Sequence, residues 1–267
     1  MTSSKDHGSA PPRIEATVLA VVRTADVLSY MARSPSRLAG VTDIATAIGT
    51  SKAVVFRILS SLLDRDYVGY DQATRRYFLG PQAILLGLAA VQRHDLRSLA
   101  HGPLVDISRT TSETSTLSVR NGWERIYIDQ VTPDRDIKMV VPIGRPFPLH
   151  AGSSSKAFLA FLPEAEQDRY FREVRTRDRL TPSTLVDEQP LRQELAVIRA
   201  RGFAASQGER QVDAASIAAP VIDQAGMPAA VVSVCGPIDR FGPRAGEAVS
   251  LLLDATDLLS RQLAYAG

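Results

Sequence analysis

The stretch VTDIATAIGTSKAVVFRILSSLLDRDYVGYDQATRRYFLGP, residues 41–81, decides the fold of the first third of the chain. Thr42 suits the N-cap of a short helix that carries Ile44, Ala45 and Ile48 and stops at Gly49. Thr50 or Ser51 then caps a further helix through Asp64, whose apolar stripe is Val55, Ile58, Leu59 and Leu62. YVGY and RRYFLG read as two short strands around DQATR, a hairpin. Upstream, Val18, Val22, Ala25 and Leu28 recur at helical spacing between Thr17 and Arg33, and Pro35 and Gly40 end that helix. Helix, short helix, glycine turn, helix and hairpin is the order of a winged helix-turn-helix, whose expected partner is double-stranded DNA.

The side chains on the predicted DNA-reading face suit that use. With Val55, Leu59 and Leu62 turned inward, Ala53, Arg57 and Ser60 fall on the opposite face. Arg57 is long enough to reach a phosphate or the O6/N7 edge of guanine. Ser51 and Lys52 sit at a helix N-terminus, where free N–H groups and the dipole favour a phosphate. Val54 suits a thymine methyl, and Arg75 and Arg76 lie on the hairpin that a wing would lay against the backbone or minor groove. Thr42, Thr50, Ser51, Lys52, Ala53, Val54, Arg57, Ser60, Arg75 and Arg76 are the DNA-binding candidates. Any one of them alone fits an ordinary exposed helix pair equally well; the order of elements carries the assignment.

Beyond Pro81, PQAILLGLAAVQRHD reads as a helix leading into the second half, followed by another helix from Leu96 to Thr110. The pattern then turns to strands: TSTLSVR, an Asn121-Gly122 turn, WERIYIDQV and IKMVVPIG. Helices are expected near 153–161, 164–175 and 188–200. The strands SIAAPVID and MPAAVVSVCG follow, and an amphipathic helix with Val249, Leu252, Thr256, Leu259 and Leu263 on one face closes the chain. The second half is therefore α+β with a mainly antiparallel sheet.

Composition sets the outer limits. The 267 residues, 45% hydrophobic and 22% charged, suffice for two soluble domains. No run of 18 apolar residues is present, which excludes a transmembrane helix. MTSSKDHGSAPPR lacks the apolar stretch of a signal peptide and reads as a disordered arm. A single cysteine, Cys235, forms no internal disulfide and points to a reducing cytoplasm. Residues 1–95 hold 11 Lys and Arg against 8 Asp and Glu, and residues 96–267 hold 20 against 21, so the modest positive excess lies on the half expected to meet DNA. His7, His94, His101, His150 and Cys235 show no metal-ligand spacing, so neither a metal nor a cofactor is expected.

Three segments, in this order and spacing, resemble the isocitrate lyase regulator (IclR) family of transcription factors. They are the stretch quoted above, PIGRPFPLHAGSSSKAFLAFLP in the middle, and RARGFAASQGERQVDAASIAAPVIDQAGMPAAVVSVCGP near the end. The resemblance covers about residues 14–264. It implies a GAF-like/profilin-like α/β sensor domain behind the winged helix-turn-helix, a cytoplasmic dimer or tetramer, palindromic operators, and a small organic effector, commonly an acid. It places the effector over the helix start at Ser153, Ser154 and Ser155, with further pocket positions at Met139, Ser206, Ala214, Ser216, Ser233 and Cys235. The chain departs from the family in having Ala53-Val54 where Ser-Thr is frequent, Ser206 where Asp is frequent, and Ser216 where Cys is frequent. The expected organisation is an arm (1–13), a DNA-binding domain (14–80), a linker helix (81–95) and an effector domain (96–267). The apolar faces of the first helix and of residues 81–93 are the candidate dimer contacts.

The residues of the sensor segment support the same reading on their own chemistry. Three successive N–H groups and three hydroxyls at a helix start make an anion site, and a carboxylate is the natural occupant; a single serine cap is the plainer alternative. Loss of an acid at 206 suits a ligand with more negative charge or with a hydroxyl. His150 reads as a packed histidine, Lys156 as solvent-facing or paired to a carboxylate, and Cys235 as a buried inert thiol. Ser153 to Lys156 also spells S-x-x-K, a nucleophile motif of penicillin-recognising enzymes, but the partner motifs S-D-N and K-T-G are absent. An enzyme is therefore not expected. A second rival, a ligand-free adaptor, would have a collapsed interior at Ser153–Ser155.

Overall fold

The computed structural model describes residues 17–34, 36–92 and 96–265. The arm at 1–13, Pro35, His94 and the end of the expected linker helix lie outside them. Contacts divide the chain into Met1–Leu86 and Gly87–Gly267.

The first unit contains α1 (Leu19–Arg33), α2 (Val41–Ala47), α3 (Lys52–Leu63), and the strands β1 (Val68–Asp71) and β2 (Arg76–Leu79). Helix α4 (Pro81–Gln92) begins in this unit, and the boundary falls inside it. The core is Val27 and Met31 from α1, Ile44 and Ala45 from α2, Val55, Leu59 and Leu62 from α3, and Val68 and Tyr77 from the hairpin. In α3, Val55, Leu59 and Leu62 are the i, i+4, i+7 positions of the expected stripe, and burying one such leucine is worth about 1.5–3 kcal/mol. In α1 the stripe lies elsewhere than expected: Val27 and Met31 are buried, whereas Val18, Val22 and Ala25 are exposed and Leu28 is half-buried. Gly49 has φ +64° between α2 and α3, a left-handed turn that glycine adopts without Cβ strain. One cap differs from expectation. Helix α2 starts from Gly40, whose N–H donates to the Asp43 carboxylate at 3.4 Å, so Thr42 lies in the first turn and is not the cap. The hairpin pairs Val68 with Leu79 through Asp71 with Arg76, and Ala39 bridges to Tyr77.

The second unit is built on a six-stranded antiparallel sheet in the order β5-β4-β3-β8-β7-β6. The strands are β3 (Thr114–Asn121), β4 (Glu124–Val131), β5 (Pro146–Pro148), β6 (Ala204–Gln207), β7 (Ala214–Ile222) and β8 (Pro228–Pro237). One face is covered by α5 (Leu96–Thr111) and α10 (Val249–Tyr265), which bury Leu104, Ile107, Leu252 and Leu259 against Leu117, Ile217, Val232 and Val234. The other face is covered by α6 (Ser153–Phe161), α7 (Glu164–Glu173) and α8 (Glu188–Arg201), with Phe158, Leu159, Leu191 and Leu195 packed on Ala218 and Val231. A short α9 (Ile238–Phe241) and a 3-10 turn (Gly242–Ala248) lead into α10.

The expected strand IKMVVPIG is not a strand. Pro142 lacks a donor, and the segment is held to the sheet by side chains instead. Gln130 Nε2 donates to Val141 O at 2.9 Å, and Val141 N–H donates to Gln130 Oε1 at 3.0 Å, so one amide side chain replaces a ladder step. Thr114 Oγ1 donates to Met139 O at 2.6 Å. This extended run brings Met139 and Val141 against Tyr127, Phe147 and Cys235.

Candidate functional site

Helix α3 presents the face that its periodicity implies. Ser51 caps it, accepting from Val54 N–H at 3.3 Å. Ser51, Lys52, Ala53 and Arg57 are exposed, as is Thr42 on α2, while Thr50, Val54 and Ser60 are half-buried. The Arg57 side chain makes no ion pair with the described residues. Phe56, 55% exposed on the same helix, is an aromatic that sequence reasoning passed over. In the hairpin, the Asp71 carboxylate accepts from the Ala73 and Thr74 N–H groups, and Arg75 has φ +55° at the exposed tip. Arg76 is different: its Nη1 lies 3.3 Å from Asp43 Oδ2 and donates to Leu38 O, so it braces the hairpin within the domain.

In the second unit a small, partly open cavity lies at the start of α6. Alternation along paired strands fills its floor with small polar groups, because Ser206 pairs with Ser216, Ser216 with Cys235, and Ser233 with Thr116. Gly152 precedes the helix at φ +86°, a conformation that turns the chain sharply into α6. The first bond closing this helix from its cap runs from Lys156 N–H to Gly152 O, so the N–H groups of its first turn need other partners. Met139, Ser153, Ser154, Ser206, Ala214, Ser216, Ser233 and Cys235 all line the cavity. Ser153 Oγ donates to Ser216 Oγ at 2.7 Å, and Thr116 and Ser233 share a hydrogen bond of 2.6 Å.

Ser155 does not line the cavity. Its Oγ accepts from Nε of Arg125, which does. Arg125 is 1% exposed, donates from Nη2 to Tyr127 Oη at 2.9 Å, and stacks 4.2 Å from the Tyr127 ring. Its Nη1 has no hydrogen-bond partner among the described residues. Burial, and next the neighbouring Arg210 charge, lower its pKa, partly offset by Tyr127. Arg210 also lines the cavity, stacked 4.5 Å from the Phe147 ring. Among the described residues no carboxylate lines it. Cys235 is pushed up to about 11, chiefly by burial, so its thiol stays protonated at neutral pH.

Behind the helix start, Lys156 is 1% exposed and its ammonium is paired with Glu209 at 2.5 Å and Glu194 at 3.2 Å. The second oxygen of Glu209 accepts from Gly152 N–H at 3.1 Å. His150 is packed, with Nε2 donating to Asp178 O at 2.9 Å.

Comparison with known proteins agrees with both halves. Residues 20–72 match the IclR helix-turn-helix domain, and residues 88–261 match the C-terminal domain of the bacterial transcriptional regulator IclR. The chain belongs to the IclR family. The HTH-type transcriptional regulator BhcR of Paracoccus denitrificans is 33% identical over 248 residues, covering 93% of this chain and 87% of that protein. The structure of an IclR transcriptional regulator from Alicyclobacillus acidocaldarius superposes with TM-score 0.82 at 29% identity, over 94% of this chain and all of that one. An IclR homologue from Microbacterium hydrocarbonoxydans, solved in complex with 4-hydroxybenzoate, shares the fold with TM-score 0.76 at 20% identity, over 91% of this chain and 98% of that one.

Among the serines that sequence assigned to the effector pocket of this IclR-family regulator, Ser155 serves as a brace for Arg125 and the others face the cavity. Arg125, Tyr127, Arg210 and Gln211 were not foreseen as lining residues. One signal was available: in WERIYIDQV the polar positions Arg125, Tyr127 and Asp129 alternate with Ile126 and Ile128. A strand in a sheet covered on both faces turns one of these sets to each covered side, and here the polar set is the more deeply buried.

Proposed function

We propose that this IclR-family regulator binds operator DNA as a dimer or tetramer and is controlled by a small organic acid held in the cavity at the start of α6. The observation that carries this reading is Arg125, a buried guanidinium whose Nη1 has no partner, on a cavity that no carboxylate lines, among the described residues. A buried charge without a counter-ion is costly, and a bound carboxylate would remove that cost with a charge-assisted hydrogen bond. The open N–H groups of the first turn of α6 add to the same preference. The relative solved with 4-hydroxybenzoate holds an acid as well.

On this reading α3 enters the major groove through Ala53, Val54, Arg57 and Ser60, with Ser51, Lys52 and Arg75 on phosphates. Thr42 and Thr50 lie at the edge of the same surface. Neither rival fits as well. An adaptor without a ligand has no use for a buried, incompletely partnered guanidinium on a polar cavity, and Lys156, the base that an S-x-x-K nucleophile would need, is neutralised by Glu209 and Glu194. A thermal-shift screen of the full-length protein against small organic acids and matched alcohols tests the reading. Acids are expected to stabilise and alcohols not to. Stabilisation by neither, or by alcohols alone, would overturn it.

A further inference from the structure

Among the described residues, the cavity is lined by two cationic groups and no anionic one. Arg125 and Arg210 both lie over the Phe147 ring, at 5.3 and 4.5 Å from its centre, so the two guanidinium carbons are within about 10 Å of each other, a span that a short carbon chain covers. Both line the same space. Arg210 forms neither an ion pair nor a hydrogen bond with the described residues, and Arg125 keeps one nitrogen free.

Both are also tied to one helical turn. Ser155 accepts from Arg125 Nε. Glu209, next in the chain to Arg210, accepts from Gly152 N–H and pairs with Lys156. The loop is further pinned where Thr181 Oγ1 donates to Gly208 O at 2.6 Å and Thr184 Oγ1 to Glu209 O at 2.6 Å. The backbone that carries Arg210 is thereby held beside the Arg125 turn before any ligand arrives, which lowers the ordering cost of binding and makes ligand length matter.

We infer that the effector is a small dicarboxylate, one carboxylate taken by Arg125 Nη1 and the N-terminus of α6, the other by Arg210. A monocarboxylate would satisfy the first position and leave two like charges facing each other with one counter-ion. Ser206, in the strand beside the Arg210 loop, adds a neutral hydroxyl there and no competing negative charge. Arg210 is then the residue that sets specificity, and Arg125 the one that any acid requires.

This inference rests on the proposed acid-binding reading, and the test separates the two. The full-length protein is titrated calorimetrically, at constant ionic strength, with the pairs succinate and butyrate, glutarate and valerate, adipate and hexanoate, and terephthalate and benzoate. At least one dicarboxylate is expected to bind about tenfold or more tighter than its monocarboxylate partner. In Arg210→Gln that ratio is expected to fall to within about threefold, with the monocarboxylate Kd unchanged. Equal binding within every pair, or a preference that survives Arg210→Gln, overturns the inference and leaves the acid reading intact. Failure of every acid in both series to bind overturns both. Circular dichroism of Arg210→Gln, a side chain with no hydrogen bond or ion pair to lose, checks that the variant is folded.

Discussion

Ser155 Oγ stands 2.8 Å from Arg125 Nε, so the helix turn that offers its backbone N–H groups to the cavity also aims a guanidinium alongside them. Two sources of positive potential converge on one space, one from the dipole of α6 and one from the side chain of β4. Arg125 has given up two of its donors to Ser155 and Tyr127 and retains Nη1 for a third partner.

That arrangement costs stability until an anion is present. In Arg125→Met the volume is largely kept and the uncompensated charge is removed, at the loss of the cation–π contact with Tyr127. Without acid, the melting temperature of this variant is expected to rise by about 2–4 °C, the equivalent of about 1 kcal/mol for a domain of this size. The shift produced by acids is expected to vanish. A lower melting temperature with an unchanged acid response would contradict the role given to Arg125.

Ser154 is 3% exposed and faces the cavity. Leucine at this position would fill space that a ligand needs. Ser154→Leu is expected to abolish the response to acid while the affinity for DNA stays within about twofold of wild type. A normal response in a folded variant, measured by thermal shift and fluorescence anisotropy, would place the ligand elsewhere.

The DNA-facing arginines are expected to divide by role. Arg57→Ala should weaken specific binding by about 1–3 kcal/mol and relax sequence preference. Arg75→Ala should weaken all sequences alike and reduce the salt slope by about 1. Arg76→Ala is expected instead to lower the thermal stability of the first unit, because Arg76 is engaged with Asp43 and Leu38. Anisotropy titrations at several salt concentrations, with a melting curve for each variant, distinguish the three. Identical behaviour of all three would remove the winged-helix geometry as an explanation.

His150 supplies a pH dependence. Burial first, and then the Arg177 charge, lower its pKa below the ordinary value near 6.5, offset in part by its bond to Asp178 O. The unfolded chain therefore takes up the proton more readily than the folded one, and stability falls as pH drops through about 6.5 toward the lower folded value. The melting temperature should decline between pH 7.5 and 5.5, and His150→Gln should decline less over the same window, from a lower starting point. Equal slopes would show that His150 does not carry the effect.

The winged helix was legible because its signals are local. Val55, Leu59 and Leu62 recur at helical spacing, and Gly49 marks the turn between α2 and α3. The serines at the start of α6 were legible for the same reason. Arg125 was legible only as one of an alternating polar set in β4, and Arg210, in the loop after β6, not at all, because what makes them notable is non-local: a charge reads as solvent-facing until the fold brings both to one cavity. The segment 137–144 failed in the other direction. Its apolar run suggested a strand, and only the fold shows that the Gln130 amide takes the place of the ladder around Pro142. Asp43 outranked Thr42 at the start of α2 because its carboxylate reaches back to Gly40 N–H, as a residue at the third helical position does in a capping box.

The coupling of the cavity to DNA is tested most directly by one anisotropy titration. The full-length wild-type protein and Arg125→Met are titrated onto a labelled duplex from the region upstream of the chain's own gene, with and without the acid that gives the largest thermal shift. The acid must bind the DNA-competent and DNA-released arrangements differently in order to act. It is expected to change the wild-type Kd for DNA by about tenfold or more, in either direction, and to leave Arg125→Met unchanged while that variant still binds the duplex. An acid that shifts both proteins alike, or that binds the wild type and shifts neither, would contradict a regulator controlled through Arg125.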